Sequence, residues 1–395
     1  MSEIYKLNDK ELSDINNILI SKTNISDSSH CFCGSNKEFS DCCKTEPNSW
    51  SIKTSFDKEL VDFLKSKDWN KVDNQDILFL LPKFKKYYLE SFDMCARPGC
   101  SNKTTVNSHV YGKKHVEKYL TNNKCKIPNI NSSETEYFNV VDTGKPITYR
   151  IFCNTCEQLF ENIDNPEHDI LDDQNAFLHI LRTQSYQYQY CRFDLAFAHQ
   201  FILYIKGVLE TERHKNTGRA NTVINLDWFL ANNIRYQHQA KLRDKLWVHF
   251  GKKVNIPHIH SRCFSVEKVV FACGIYNPSH NLRGVPIIYK EDASFFYYLI
   301  PKDAKSIYVT IASFDDEYKE MIKQLANINE YDFKKYLNHL LSFCGLPLNL
   351  ILQDTHKITD QMINKINKKK ALTLKNNPKK PSDLESRKVF AKFIG

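Results

Sequence analysis

The sequence predicts an α+β multidomain protein in which two small zinc-stabilised modules are followed by a helical middle region and a mixed α+β C-terminal domain. Three observations carry that reading. Eight of the 13 cysteines fall into two groups of four with metal-ligand spacing. Apolar positions between Asp169 and Leu209 recur with the helical period, and from Lys252 onward the period shortens to that of strands. At 395 residues, 42% hydrophobic and 12% aromatic, the chain can bury two or three cores and is too apolar for general disorder. Glycine is scarce, 11 residues, and neither Gly-x-Gly-x-x-Gly nor Gly-x-x-x-x-Gly-Lys-Ser/Thr occurs, which argues against dinucleotide and P-loop chemistry.

Residues 1–29 show one short helical pattern, Leu12, Ile15, Ile18 and Leu19. The charged Glu3, Lys6 and Asp9 do not read as a secretory signal, and no stretch approaches the ~20 apolar residues that span a bilayer. The expectation is a cytoplasmic chain without a membrane partner, whose cysteines in a reducing compartment are thiols or metal ligands.

Residues 30–44 contain Cys31-x-Cys33-x8-Cys42-Cys43, with Gly34 available for a tight turn. Four thiolates within so short a loop fit the tetrahedral shell of zinc. Cys31, Cys33, Gly34, Ser35, Lys37, Phe39, Cys42 and Cys43 together resemble the SEC-C motif, with Cys43 where that family often has His. The resemblance implies a zinc-stabilised hairpin that serves as a contact module for protein or nucleic acid. His30 is expected to be a flanking polar residue. Residues 45–92 then read as a linker of two helices, on Phe56, Leu60, Phe63 and Leu64 and on Ile77, Leu80, Leu81 and Phe84.

The second group lies in residues 93–165. Cys95-Ala-Arg-Pro-Gly-Cys100 forms a knuckle with a Pro-Gly turn, and Cys153-Asn-Thr-Cys156 opens a helix expected over 157–163. Strands are expected around His109 (106–110) and over 147–152, with 124–142 as a loop inserted between them. Knuckle, strands and a helix starting at the second cysteine pair follow the order of a treble clef.

Cys95, Cys100, His109, Cys153 and Cys156 resemble the zinc-containing HNH endonucleases, in which a ββα-metal element lies on such a clef. The resemblance implies that His109 accepts a proton from the water attacking a scissile phosphate, a task suited to imidazole near neutral pH. It also implies a catalytic Mg²⁺ or Mn²⁺, for which Glu157 and Glu161 (or Asp164) are the hard-ligand candidates, Glu157 and Glu161 being i and i+4 on a helix. Ser108 stands where the family has Asp, His or Glu, and glutamates replace its His/Asn pair.

In the helical region, 166–250, Tyr186-Gln-Tyr-Gln-Tyr190 reads chiefly as core; base stacking, with Arg182 and Arg192 on phosphate, is the alternative. In the α+β domain, 251–364, strands are expected over 266–275, 285–289, 295–300 and 306–312, with helices over 315–325 and 331–343. His258 and His260 read as a strand-edge polar pair. The tail, 365–395, holds ten basic residues against Asp383 and Glu385, a net +8 of the chain's +9. It could contact phosphate without reading sequence, or simply solubilise the chain.

The leading functional reading is a protein with two structural zinc ions whose HNH-like clef cuts or binds nucleic acid, DNA favoured over RNA by the resemblance alone, with defence against phage or other foreign DNA as a plausible setting. The alternative is a non-enzymatic zinc adaptor whose SEC-C and treble-clef modules are structural and bind a protein partner.

Overall fold

The computed structural model describes residues 16–17, 20–21, 23–29, 31–33, 37–45, 94–104, 108–120, 124–128, 138–143, 148–169, 171–212, 226–278, 280–287, 294–343 and 350–353. The expected linker helices of 45–92, the basic tail, His30, Gly34, and most of the Leu12–Leu19 pattern lie outside them. The chain folds as two compact units. One comprises Met1–Val106, Arg150–Cys153 and Tyr188–Ala240, the other Asn107–Tyr149, Asn154–Gln187 and Lys241–Gly395.

The first unit is built on α4 (Asp173–Glu212) from Tyr188 onward and on α5 (Leu226–Gly251) as far as Ala240, both long helices. Tyr188, Leu195, Phe197, Phe229 and Tyr236 are buried on their inner faces. Tyr186 and Tyr188 are both buried, so these two belong to the interior rather than to a base-stacking surface, while Tyr190 is half-buried. Arg192 is buried too, and donates to the carbonyl of Cys31 at 2.9 Å rather than facing solvent phosphate.

The second unit contains a two-stranded sheet and a seven-stranded one. In the first, β1 (Ser108–His109) pairs antiparallel with β4 (Thr148–Tyr149). The larger sheet has the order β3-β2-β9-β6-β7-β8-β5, with β2 (Lys124–Pro128), β3 (Phe138–Asp142), β5 (His258–Ser265), β6 (Val270–Tyr276), β7 (Phe295–Asp303), β8 (Ser306–Ser313) and β9 (Ile351–Gln353). Every neighbouring pair is antiparallel.

The run Phe295–Ile300 is buried at every position. A central strand covered on both faces loses the alternation of a half-buried one. On one face Tyr298 stacks against His179 of α4 at 5.0 Å. The other face is covered by α6 (Lys319–Asn327) and α7 (Glu330–Phe343), where Phe333 packs on Phe264 at 5.2 Å. α1 (Lys113–Tyr119) lays His115 against Phe271 of β6, and its Tyr119 hydroxyl donates to the Lys302 carbonyl at 2.8 Å.

Three expectations are corrected. Residues 124–128 and 138–142 are not loop but a β-hairpin that joins the large sheet through β9. Pro128 and the Asn and Ser residues that follow it concealed two short strands, of which β3 is the sheet edge and leaves Val140 exposed. Val285 and Pro286 form no strand, only an isolated bridge between Pro286 and His280. The helix after Cys153 is segmented: α2 (Asn154–Glu157), a 3₁₀ turn (Gln158–Phe160) and α3 (Glu161–Asp164). His258 and His260 lie in the edge strand β5 as expected, with His258 Nε2 bonded to Asp316 at 2.8 Å. Among the described residues no helix is long and apolar enough to cross a membrane.

Candidate metal centres and an associated polar site

The described residues 31–33 and 37–45 fold back on one another. Cys31 N–H donates to the Lys37 carbonyl at 2.9 Å, Phe39 N–H to Ser29 at 2.7 Å, and Lys44 N–H to Phe39 at 3.2 Å. The loop turns all four thiols inward, where Cys31, Cys33, Cys42 and Cys43 are buried with their Sγ atoms within 4.8 Å of one another. Cys33 and Cys42 stand 3.4 Å apart. Four thiolates at about 2.3 Å from one zinc lie roughly 3.8 Å from each other, so the set fits the ion.

Shared hydrogen bonds among the crowded sulfurs, then burial, hold the Cys31 and Cys43 thiols far above their ordinary value, whereas the bond from Cys31 draws Cys33 down. A cation would relieve this crowding by taking all four as thiolates. The loop backbone is gripped from outside: Asn16 Nδ2 donates to the Cys43 carbonyl at 2.7 Å, and Asn16 in turn accepts from His199 Nε2 at 2.7 Å. Phe32 fits between Phe39, His199 and Tyr236, with its centroid 5.3 Å from His199.

The second group, Cys95, Cys100, Cys153 and Cys156, also brings its sulfurs within 4.8 Å. The knuckle turns at Gly99, whose φ of +70° is open to glycine but strained for other residues. Cys100 and Cys153 are 3.8 Å apart, and Asn102 Nδ2 points at the Cys153 sulfur at 3.8 Å. A bond from Ala96 N–H to the Ile151 carbonyl (2.8 Å) ties knuckle to cysteine pair, and Gln189 of α4 donates to Met94 at 2.6 Å. These two are the only sets of three or more candidate ligands found together among the described residues. Of the other thiols, Cys125, Cys191 and Cys273 are buried and Cys263 is exposed.

Directly after the second cysteine pair comes a polar site. Ser108 and His109 leave β1, and the Ser108 hydroxyl donates to Glu157. Arg182, 3% exposed, reaches from α4 and grips Asp164 bidentately, at 2.6 and 3.0 Å. Its terminal nitrogen is 3.6 Å from Glu157 Oε1, and its plane covers Phe160 at 4.6 Å. Burial pushes the Glu157 carboxyl up, opposed by Arg182. Burial also holds His109 below its ordinary value, opposed by the Asp164 charge. His109 Nδ1, Glu157 Oε2 and Arg182 Nε are buried without hydrogen-bond partners.

Glu157 is thus in the site, whereas Glu161 is exposed, because the 3₁₀ turn breaks the i, i+4 register on which the pairing of the two glutamates depended. Asp164 is the carboxylate that shares Arg182 with Glu157. The α1 cap packs closely here: a Cβ at Gly112 would lie 2.8 Å from the Asp164 Cα and carbonyl and 2.9 Å from its Oδ1. Gly112→Ala, at an ordinary φ of −50°, is therefore expected to cost about 1–3 kcal/mol by overpacking, read as a lowered thermal midpoint.

Sequence reasoning missed a histidine cluster beside Asp164. His168 Nδ1 donates to the Asn165 carbonyl at 2.6 Å, which leaves its Nε2 to accept from His179 Nε2 at 3.0 Å. The His115 ring meets His168 edge-on at 5.4 Å, and its Nε2 is buried and unpartnered. The three come from α1, a turn and α4, so no local spacing announces them. Comparison with protein-family models, with curated proteins and with solved structures gives no match, and the two cysteine groups and the polar site stand on their own geometry.

Proposed function

We propose that the chain is a zinc-containing, HNH-like protein that cuts or binds nucleic acid, with DNA favoured over RNA. The observation that carries this reading is an order of parts: a β1–β4 pair bearing His109, then a cysteine pair, then the segmented helix that carries Glu157 and Asp164. Two zinc ions, one in the SEC-C-like loop and one in the treble-clef-like group, would act as cross-links, since four thiolates fill the coordination shell and leave no open position for substrate.

His109 Nδ1, buried and without a hydrogen-bond partner, is the atom that this reading assigns to take a proton from water attacking a phosphodiester. Its lowered basicity keeps it neutral, hence able to accept, at neutral pH. The Ser108 hydroxyl orients Glu157 rather than binding metal. Residues 365–395 would add phosphate contacts without sequence preference. Defence against foreign DNA is a setting that suits such an activity.

The second reading, a zinc adaptor for a protein partner through the SEC-C-like loop, is favoured by one observation: Arg182 already engages the carboxylates that a nuclease would use. Plasmid and RNA cleavage, with Mg²⁺, with Mn²⁺ and with neither, separates the two. On the nuclease reading His109→Ala loses roughly 100-fold or more of wild-type activity. Equal activity in the variant removes His109 as the base, and no cleavage by wild type under any condition favours the adaptor.

A further inference from the structure

The HNH resemblance brings with it a hydrolytic Mg²⁺ or Mn²⁺, and the residues present do not fit one. Such an ion wants several oxygen ligands converging on an open position. Here Glu161 points to solvent, Ser108 donates to Glu157, and both oxygens of Asp164 are taken by one guanidinium. No oxygen-ligand set joins the two cysteine groups among the described residues.

We infer that Arg182 is the resident cation of this site, standing between Glu157 and Asp164 where the resemblance would put a divalent metal. The inference takes the reading of His109, Glu157 and Asp164 as one site as its starting point. Its geometry is that of a fixed cation. The side chain is almost wholly buried, the fork is bidentate on Asp164, the second carboxylate is 3.6 Å away, and the Phe160 ring supports the guanidinium from below at 4.6 Å.

A guanidinium keeps its charge at every accessible pH, so the site carries a positive centre without recruiting an ion. Arg182 Nε is buried and has no hydrogen-bond partner, so the hold on Asp164 is made by the two terminal nitrogens.

The test uses the full zinc-loaded chain and Mn²⁺ alone as probe, followed by electron paramagnetic resonance. Wild type is expected to show no stoichiometric Mn²⁺ site, and Arg182→Met, which frees two carboxylates, to bind Mn²⁺ at least about tenfold more tightly. Stoichiometric binding by wild type that Asp164→Asn abolishes overturns the inference, as does a folded Arg182→Met that gains no binding. Should Arg182→Met not fold, wild type and Asp164→Asn still decide: Mn²⁺ is expected to leave the melting temperature of wild type unchanged, and a rise that Asp164→Asn removes overturns the inference. Cleavage reports separately. Activity that requires Mg²⁺ or Mn²⁺ and Asp164 overturns the role of Arg182 and upholds the nuclease, whereas a lack of all cleavage removes the nuclease and leaves the Mn²⁺ result to judge Arg182.

Discussion

Stripping zinc from Cys31, Cys33, Cys42 and Cys43 is expected to unfold the first unit, not merely loosen a loop. Beyond the loop's own backbone hydrogen bonds, Phe32 packs against His199 and Tyr236, and the Cys31 and Cys43 carbonyls accept from Arg192 and Asn16. Without a cation, four sulfurs confined within 4.8 Å must stay largely protonated or move apart, and either change shifts Phe32. Structural zinc contributes roughly 10–16 kcal/mol of apparent binding free energy at neutral pH, comparable to the ~5–15 kcal/mol by which a domain is stable at all. Cys42→Ser should therefore lower the zinc content from two per chain to one in native mass spectrometry and abolish the cooperative thermal transition of this unit. Full removal of zinc with near-ultraviolet circular dichroism and melting temperature unchanged would defeat the assignment.

The second large effect is an acid-side loss of stability. Burial lowers the folded-state values of His115 and His199 from 6.5 to about 4, and those of His168 and His179 also lie below 6.5. Around the cluster of three, Lys118 and Arg182 reinforce the effect, while Asp164, Glu167 and Asp169 oppose it. Because the unfolded chain binds these protons first, the histidine contribution is complete above about pH 6.5 and falls as pH drops toward about 4. A displacement of that size sets an upper bound of roughly 3 kcal/mol per histidine. Urea denaturation at pH 7.5 and pH 5.0 should differ by several kcal/mol. Acid also releases zinc from thiolates, so the discriminating variant is His115→Phe, a residue of neither cysteine group, which should flatten part of the slope. An unchanged slope would mean that His115 is charged in the folded protein.

Much of this architecture was legible in the sequence because its signals are local. Cysteines at x, x8 and adjacent spacing make a set that could hold one ion, and the Pro-Gly of the knuckle announces its turn. Long helical periodicity and apolar strands were equally visible in α4, β7 and β8. What escaped was non-local. The strand β2 joins the large sheet through β9, more than 200 residues away in sequence, a pairing that no local pattern in Lys124–Pro128 could announce. Arg182 read as a flanking cation because nothing near it in sequence revealed that Asp164 and Phe160 would be waiting for it. The Glu157–Glu161 register failed for a conformational reason, one 3₁₀ turn, that residue identities barely signal.

Gln189 and Arg192 sit one helical turn apart on α4, and each donates to a backbone carbonyl of a different cysteine module, Met94 and Cys31. The first module, which ends at Cys43, is synthesised long before that turn, whereas the second, which ends at Cys156, precedes it closely. At about 5–20 residues per second, on the order of ten seconds separate the emergence of Cys43 from that of Arg192. During that interval the nascent chain offers thiols whose protein scaffold does not yet exist. Metal delivery, or protection of those sulfurs from oxidation, is therefore a matter of timing at the ribosome before it is a matter of affinity in the finished fold.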